Sequence, residues 1–96
     1  MKFKISWSSN TATRHETYEA FAKMSDADDA ADHPGLTLIG RWHDVTAGQG
    51  VAICESDDLL AVQSWTYNWN GILDVDITPV IDDSEAKSLV RAKLGI

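Results

Sequence analysis

Two side chains suited to proton transfer and anion binding lie two residues apart. Arg41 and His43 fall in a segment of alternating character, so both point to one face of a strand. A guanidinium binds oxyanions through paired N–H groups, and an imidazole titrates near neutral pH. In an enzyme His43 would transfer the proton and Arg41 would hold an anionic or enolate oxygen. The alternative is a dimer interface, with Arg41 bridging to Asp44 or Asp76 and His43 bonded to a backbone carbonyl.

The chain carries four tryptophans among 96 residues, a high load for its size. Large rigid rings can line a pocket that stacks a planar apolar ligand. They can equally form the core, because a small domain needs large side chains to bury enough area. His15 lies in a helical apolar stripe with Tyr18 and Phe21, and its side chain either reaches the pocket or packs in the core. The candidate ligand-binding residues are Trp7, Trp42, Trp65, Trp69 and His15.

The pattern of acidic residues, histidines and cysteine does not favour a metal site or a cofactor site. The acidic run 26–32 lacks the turn glycine and terminal glutamate of an EF-hand, which favours a solvated connector. The three histidines show no metal-ligand spacing, and Cys54 alone cannot build a cysteine zinc site or an intrachain disulfide. We therefore expect no metal and no cofactor.

The charge balance excludes several classes of partner. Fifteen acidic and eight basic residues give a formal net charge of −7, which repels phosphate backbones and argues against nucleic acid. The longest apolar runs are far shorter than the roughly 20 residues of a membrane helix, so we expect no membrane partner. The N-terminus lacks an apolar export core, and with the single cysteine this favours the cytoplasm.

The periodicity predicts four strands and three helices. Alternation of Phe3, Ile5 and Trp7 with polar residues marks the first strand, and Thr13 with Glu16 has capping-box spacing for the first helix. The other strands are predicted over 36–44, 51–55 and 72–80. The helices are predicted over 13–27, from an N-cap at Ser56 to Gly71, and after Asp82, which has capping-box spacing to Glu85.

The order is βαββαβ with a terminal helix, which predicts one α+β domain over residues 1–96 with a ferredoxin-like fold. Its strand order is 4-1-3-2, so Lys2 and Lys4 of the first strand would face Asp74 and Asp76 of the fourth. All four tryptophans are predicted on the helix-covered face, with Leu36 and Leu38. The uncovered face is predicted to carry Lys4, Ser6, Ile39, Arg41, His43, Ala52, Cys54 and Asp76.

Four segments resemble a small bacterial family of unknown function that is similar to the dimeric α+β barrel superfamily. They are 1–7, the Gly-Arg-Trp-His-Asp segment 40–44, Trp65-x-x-x-Trp69-Asn70 and 76–80. The resemblance implies a homodimer whose two sheets close into a barrel, with a pocket between sheet and helices. Superfamily relatives include cofactor-free oxygenases, haem-degrading enzymes, isomerases and stress-induced proteins, so no single activity is implied. The chain departs from the pattern at Lys4, where an apolar residue is expected, and in the acidic segment 26–32.

Two functions remain open at this stage. The first is a homodimer that binds or transforms a small apolar or aromatic molecule in a tryptophan-lined pocket, by cofactor-free oxygenation or isomerisation. The second is a non-catalytic stress or accessory protein that acts through dimerisation or contacts with another protein. A pocket beside the tryptophans favours the first, whereas a loss of dimerisation in Arg41→Ala would favour the second.

Overall fold

The computed structural model describes residues 1–96. In chain order the elements are β1 (Lys2–Ser8), α1 (Thr11–Ala22), α2 (Asp26–Asp32), β2 (Thr37–Asp44), β3 (Gln49–Glu55), α3 (Leu59–Trp69), β4 (Asp74–Val80) and α4 (Asp83–Leu94). The strands form one antiparallel sheet in the order β2-β3-β1-β4. This confirms the ferredoxin-like α+β prediction and its strand order. None of the helices is both long enough and apolar enough to cross a membrane.

The core lies between the two central strands and α3. Phe3 and Ile5 of β1 pair with Cys54 and Ala52 of β3, and all four are buried. Residues directly opposite each other on paired strands share a face, so the predicted placement of Ala52 and Cys54 on the uncovered face was wrong. Val62 of α3 is fully buried against this cluster. The β1–β3 pair is therefore the base on which the helices pack.

An extra residue in β2 decides which side chains face the helices. The pairing with β3 shifts between Leu38 and Gly40, leaving Ile39 as the unpaired residue of a β-bulge. A shift of one residue moves every following side chain to the other face. Arg41 therefore lies opposite buried Ala52 on the helix-covered face, and the prediction of an uncovered face for it was wrong.

The same inversion applies to the neighbours of Arg41. His43 lies opposite Gly50, which also pairs with Trp7, so His43 shares the helix-covered face rather than the uncovered one. Trp42 lies opposite Val51 on the uncovered face and is 59% exposed, contrary to the prediction. Its ring lies over Gly40, where any Cβ atom would collide with it.

The predicted first helix, 13–27, corresponds to α1, which ends at Ala22, and a second helix, α2, follows it. The first begins at Thr11 with Asn10 as its N-cap, whose Oδ1 accepts from the Thr13 amide at 3.0 Å, so the predicted Thr13 capping box was wrong. The acidic segment predicted as a solvated connector forms α2. Its capping box joins the Ser25 hydroxyl to the Asp28 amide at 3.1 Å and the Asp28 carboxylate to the Ser25 amide at 3.0 Å. The carboxylates in this first turn suit the positive end of a helix dipole.

Of two further caps, that of α3 differs from the sequence prediction and that of α4 agrees with it. Asp58 caps α3 through the Leu60 amide, while the Ser56 hydroxyl donates to the Gly35 carbonyl at 2.8 Å. The predicted capping box of Asp82 and Glu85 at α4 is present.

The predicted charge pairs between β1 and β4 do not form, although the strands do pair. Ser6 lies opposite Asp76, and Lys4 lies opposite Thr78. The Lys2 ammonium instead lies 3.6 Å from the Asp82 carboxylate and 4.0 Å from that of Glu55. The apolar face, rather than these charges, fixes the register of the two strands.

We predict that Gly50→Ala destabilises the fold and that Gly71→Ala does not. A Cβ atom at Gly50 would collide with the Trp7 ring and lie 2.7 Å from the Trp42 carbonyl oxygen, whereas nothing lies within 4 Å at Gly71. Urea denaturation should show a loss of about 1–3 kcal/mol in the free energy of unfolding for Gly50→Ala. The Gly71→Ala control should stay within about 0.5 kcal/mol of the parent. Equal stabilities would contradict the close packing of Trp7 on β3.

Candidate functional site

An apolar cavity of about 60 Å³ lies between the helix-covered face of the sheet and the helices α1 and α3, and it opens to solvent. Aromatic and apolar side chains make up most of its wall, with one imidazole and one guanidinium. Its lining residues are Trp7, Thr17, Tyr18, Phe21, Arg41, His43, Trp69 and Leu73. Such a lining suits a planar apolar ligand oriented by a few polar groups.

His43 lies among three aromatic rings. The centroid of its imidazole is 5.5 Å from that of Trp7, 5.7 Å from Tyr18 and 4.9 Å from Phe21. Although His43 is exposed as a whole residue, partial loss of solvent around its ring lowers its pKa below the ordinary value of 6.5, and the positive charge of Arg41 lowers that pKa further. The neutral imidazole is thus favoured at neutral pH, and it can accept a proton from a bound molecule.

Arg41 is already paired within the chain. Its Nη1 and Nη2 donate to the two carboxylate oxygens of Asp29 at 3.0 and 3.1 Å, a bidentate arrangement. Its guanidinium carbon also lies 4.8 Å from the centroid of the Phe21 ring. The sequence had suggested Asp44 or Asp76 as partners on an interface. Within the chain the guanidinium pairs with Asp29 instead, because the bulge turns Arg41 to the helix-covered face, beside α2.

A second carboxylate of α2 ties that helix to α3. Asp32 accepts from the indole Nε1 of Trp65 at 3.1 Å, from the indole Nε1 of Trp69 at 2.8 Å and from the amide of Asn68 at 3.0 Å. Hydrogen bonds to a charged group contribute more than neutral ones, about 1.5–3 kcal/mol each when buried and less here, where they are partly exposed. The acidic helix is therefore fixed beside the cavity.

The structure brings together some of the predicted site residues and separates others. Trp7 and Trp69 line the cavity with Arg41 and His43. Trp65 is buried in the core, and its ring contacts His33 edge-on at 5.4 Å between centroids. Two predicted ligand-binding residues, Trp42 and His15, lie elsewhere.

Trp42 lies on the uncovered sheet face, as described above. The side chain of His15 is 93% exposed on the outer surface of α1, with its Nε2 3.6 Å from the Glu19 carboxylate. It lies outside the cavity because the α1 residues that turn inward are Thr17, Tyr18 and Phe21. No group of three His, Cys, Asp or Glu side chains is arranged to hold a metal ion.

Sequence reasoning missed Asp29 and Asp32. Their signal was present, because two acidic residues three apart share one face of a helix. Treating the segment as a connector hid that spacing. Tyr18 and Phe21 were assigned to the apolar stripe of the first helix, and their part in the cavity follows from that placement.

We predict that His43 titrates below 6.5 when followed by NMR of its imidazole. Arg41→Gln should raise the pKa only in part, because loss of solvent is the larger cause of its depression. The neutral form is favoured in the fold, so the stability it contributes is complete above pH 6.5 and is lost as the pH falls toward the folded pKa. Unfolding free energies in acid should therefore fall more for the parent than for His43→Gln. A pKa at or above 6.5 would contradict this environment.

Comparison with known proteins places the chain in a family without assigning an activity. Among curated proteins, none matches the sequence. The crystal structure of a candidate antibiotic biosynthesis monooxygenase from Deinococcus radiodurans is similar, with a TM-score of 0.48 and 11% sequence identity over 85% of this chain and 94% of that one. The family described as a domain of unknown function (DUF3303) matches residues 1–94, which confirms the resemblance to a family of unknown function. The chain belongs to this family.

Proposed function

We propose that the protein binds a small planar apolar or aromatic molecule in the cavity between the sheet and the helices. The observation that carries the proposal is the wall itself, in which the rings of Trp7, Tyr18 and Phe21 lie beside the imidazole of His43 and Trp69 adds a fourth ring. Aromatic rings stack on planar ligands, and the few polar groups orient them.

The size of the cavity limits the ligand. A volume of about 60 Å³ has room for only a few water molecules. A bound ring system therefore extends from the cavity through its opening to solvent. Ligands of one or two rings are the best candidates, because larger ones would require α1 to move.

The chemistry that fits this site is proton transfer. Neutral His43 removes a proton from an acidic O–H or C–H of the ligand, and the electron pair of that bond stays on the ligand as an enolate or phenolate, whose charge is balanced by the imidazolium that forms. Returning the proton to another atom completes an isomerisation. Reaction of the anion with dioxygen, as the second substrate, would make the same step the start of an oxygenation. The isomerisation requires only the residues of this chain. The oxygenation requires dioxygen in addition.

The test is calorimetric titration with 2-naphthol at pH 7, using matched tryptophan variants. Trp7→Ala should weaken binding about tenfold or more, because it removes a stacking wall. Trp42→Ala is the control, because that ring lies on the opposite face, and it should keep the parent affinity within about twofold. Circular dichroism of each variant confirms folding. No binding by the parent protein, or equal losses in both variants, would overturn the proposal.

We also propose that the protein is a homodimer formed through the uncovered face of the sheet. No helix covers that face. It nevertheless carries the exposed apolar side chains of Ile39 and Trp42 beside half-buried Val51 and Ile53. Two such faces packed together would shield this patch and close the two sheets into a barrel. Arg41 does not lie on this face. We therefore give it no part in the dimer interface, and its guanidinium contacts Asp29 instead.

The terminal helix supports the same assembly. No residue of α4 is buried, and its exposed apolar residues include Leu89, Val90 and Leu94. The radius of gyration is 15.6 Å, against about 12.5 Å for a compact chain of this length. A helix that extends from its own domain with an unburied apolar row is suited to pack on a second copy. A reduced, buried Cys54 fits the cytoplasm, where we place this dimer.

Sedimentation equilibrium tests the dimer. The parent should have twice the 10.6 kDa chain mass, and Trp42→Lys should be monomeric because it places a charge within the apolar interface. Tyr67→Lys is the matched control, since Tyr67 is 77% exposed on α3 and should leave the mass unchanged. A monomeric parent, or a dimeric Trp42→Lys, would contradict the proposal. A dimer that binds no aromatic ligand would instead favour a non-catalytic accessory protein.

A further inference from the structure

We infer that Asp29 makes the cavity selective for uncharged aromatic ligands over aromatic carboxylates. This inference rests on the proposed function, since it concerns the ligand of the same cavity. It departs from the expectation that Arg41 holds an anionic oxygen of the ligand.

The first argument is the state of the guanidinium. Arg41 is the one cationic side chain in the cavity wall. Both terminal nitrogens already donate to Asp29, and the two side chains are 19% and 25% exposed. The charge that would attract a ligand carboxylate is neutralised. A second carboxylate brought beside this pair would feel the negative charge of Asp29 at short range with little water to screen it.

The second argument is that a ligand cannot easily displace Asp29. That residue lies on α2, which Asp32 holds to α3 through three side-chain donors. A carboxylate fixed in place competes as an intramolecular group, at an effective concentration in the millimolar range. A free carboxylate ligand must overcome this advantage before it contacts Arg41.

The third argument is the charge around the opening. The helix that carries Asp29 also bears Asp26, Asp28 and Asp32 and contains no basic residue. The whole chain has a formal net charge of −7. This field lowers the local concentration of anions, and it leaves neutral molecules unaffected.

The test compares 2-naphthol with 2-naphthoate, two ligands of the same ring system that differ in charge at pH 7. The parent should bind 2-naphthol at least about tenfold more tightly than 2-naphthoate by calorimetric titration. Asp29→Asn should tighten 2-naphthoate by about tenfold and change 2-naphthol by less than about threefold, because it frees the Arg41 charge for the ligand.

Two controls separate charge from loosening of α2. Asp26→Asn makes the same change on the same helix, at a residue for which we find no side-chain partner, and should leave the preference for 2-naphthol within about twofold of the parent. The double variant Asp29→Asn with Arg41→Gln removes the freed cation and should lose the gain for 2-naphthoate. Retention of that gain in the double variant would assign it to an opened cavity and overturn the inference.

The outcomes also distinguish failure of the inference from failure of the proposed function on which it rests. If the parent binds 2-naphthol, the cavity is a ligand site, and the naphthoate preference then decides the role of Asp29 alone. Equal affinities for the two ligands in the parent, or an unchanged ratio in Asp29→Asn, would overturn the inference and leave the site intact. If the parent binds neither ligand, both are overturned.

Discussion

The single unpaired residue in β2 decides which side chains of that strand line the cavity. Ile39 interrupts the pairing with β3, and the strand beyond it turns its side chains over. That inversion directs Arg41 and His43 toward the helices, where Phe21 and Tyr18 contact them, and leaves Trp42 on the uncovered face. Bulges of this kind commonly re-aim side chains beside functional sites. Without the inversion the cavity would have neither its imidazole nor its guanidinium.

The position of the acidic helix α2 depends on the same bulge in β2. It has no buried residue of its own, so its position comes from hydrogen bonds rather than apolar packing. Asp29 reaches Arg41 because the bulge presents that guanidinium, and Asp32 takes both indole N–H groups of α3. Tryptophan N–H groups near the interior require an acceptor, and one carboxylate satisfies two of them. The helix thereby links β2 to α3 across the side of the cavity.

The two faces of the sheet carry different features. The covered face holds the core and the cavity, while the other carries an exposed patch around Trp42 together with Lys4, Ser6 and Thr78. With α4 extended from the domain, the chain on its own leaves much apolar surface in water. A sheet edge and face in this state are usually covered by a partner. The proposed ligand site and the proposed dimer surface thus lie on opposite faces of one sheet.

The sequence by itself determined the order of the strands and of α1, α3 and α4 along the chain, the strand order of the sheet and the apolar face of β1, and it missed α2. These follow from local periodicity and from caps such as Asp82 with Glu85, which depend on residues close in the chain. Only the tertiary structure decided the face of Arg41 and the partner of each carboxylate. A bulge arises from how β2 matches β3, and the Asp29–Arg41 contact joins a helix to a strand that the chain reaches only after folding. A prediction from alternating residues assumes that two strands pair without a bulge. One extra residue in β2 was therefore enough to reverse the predicted faces of Arg41, Trp42 and His43.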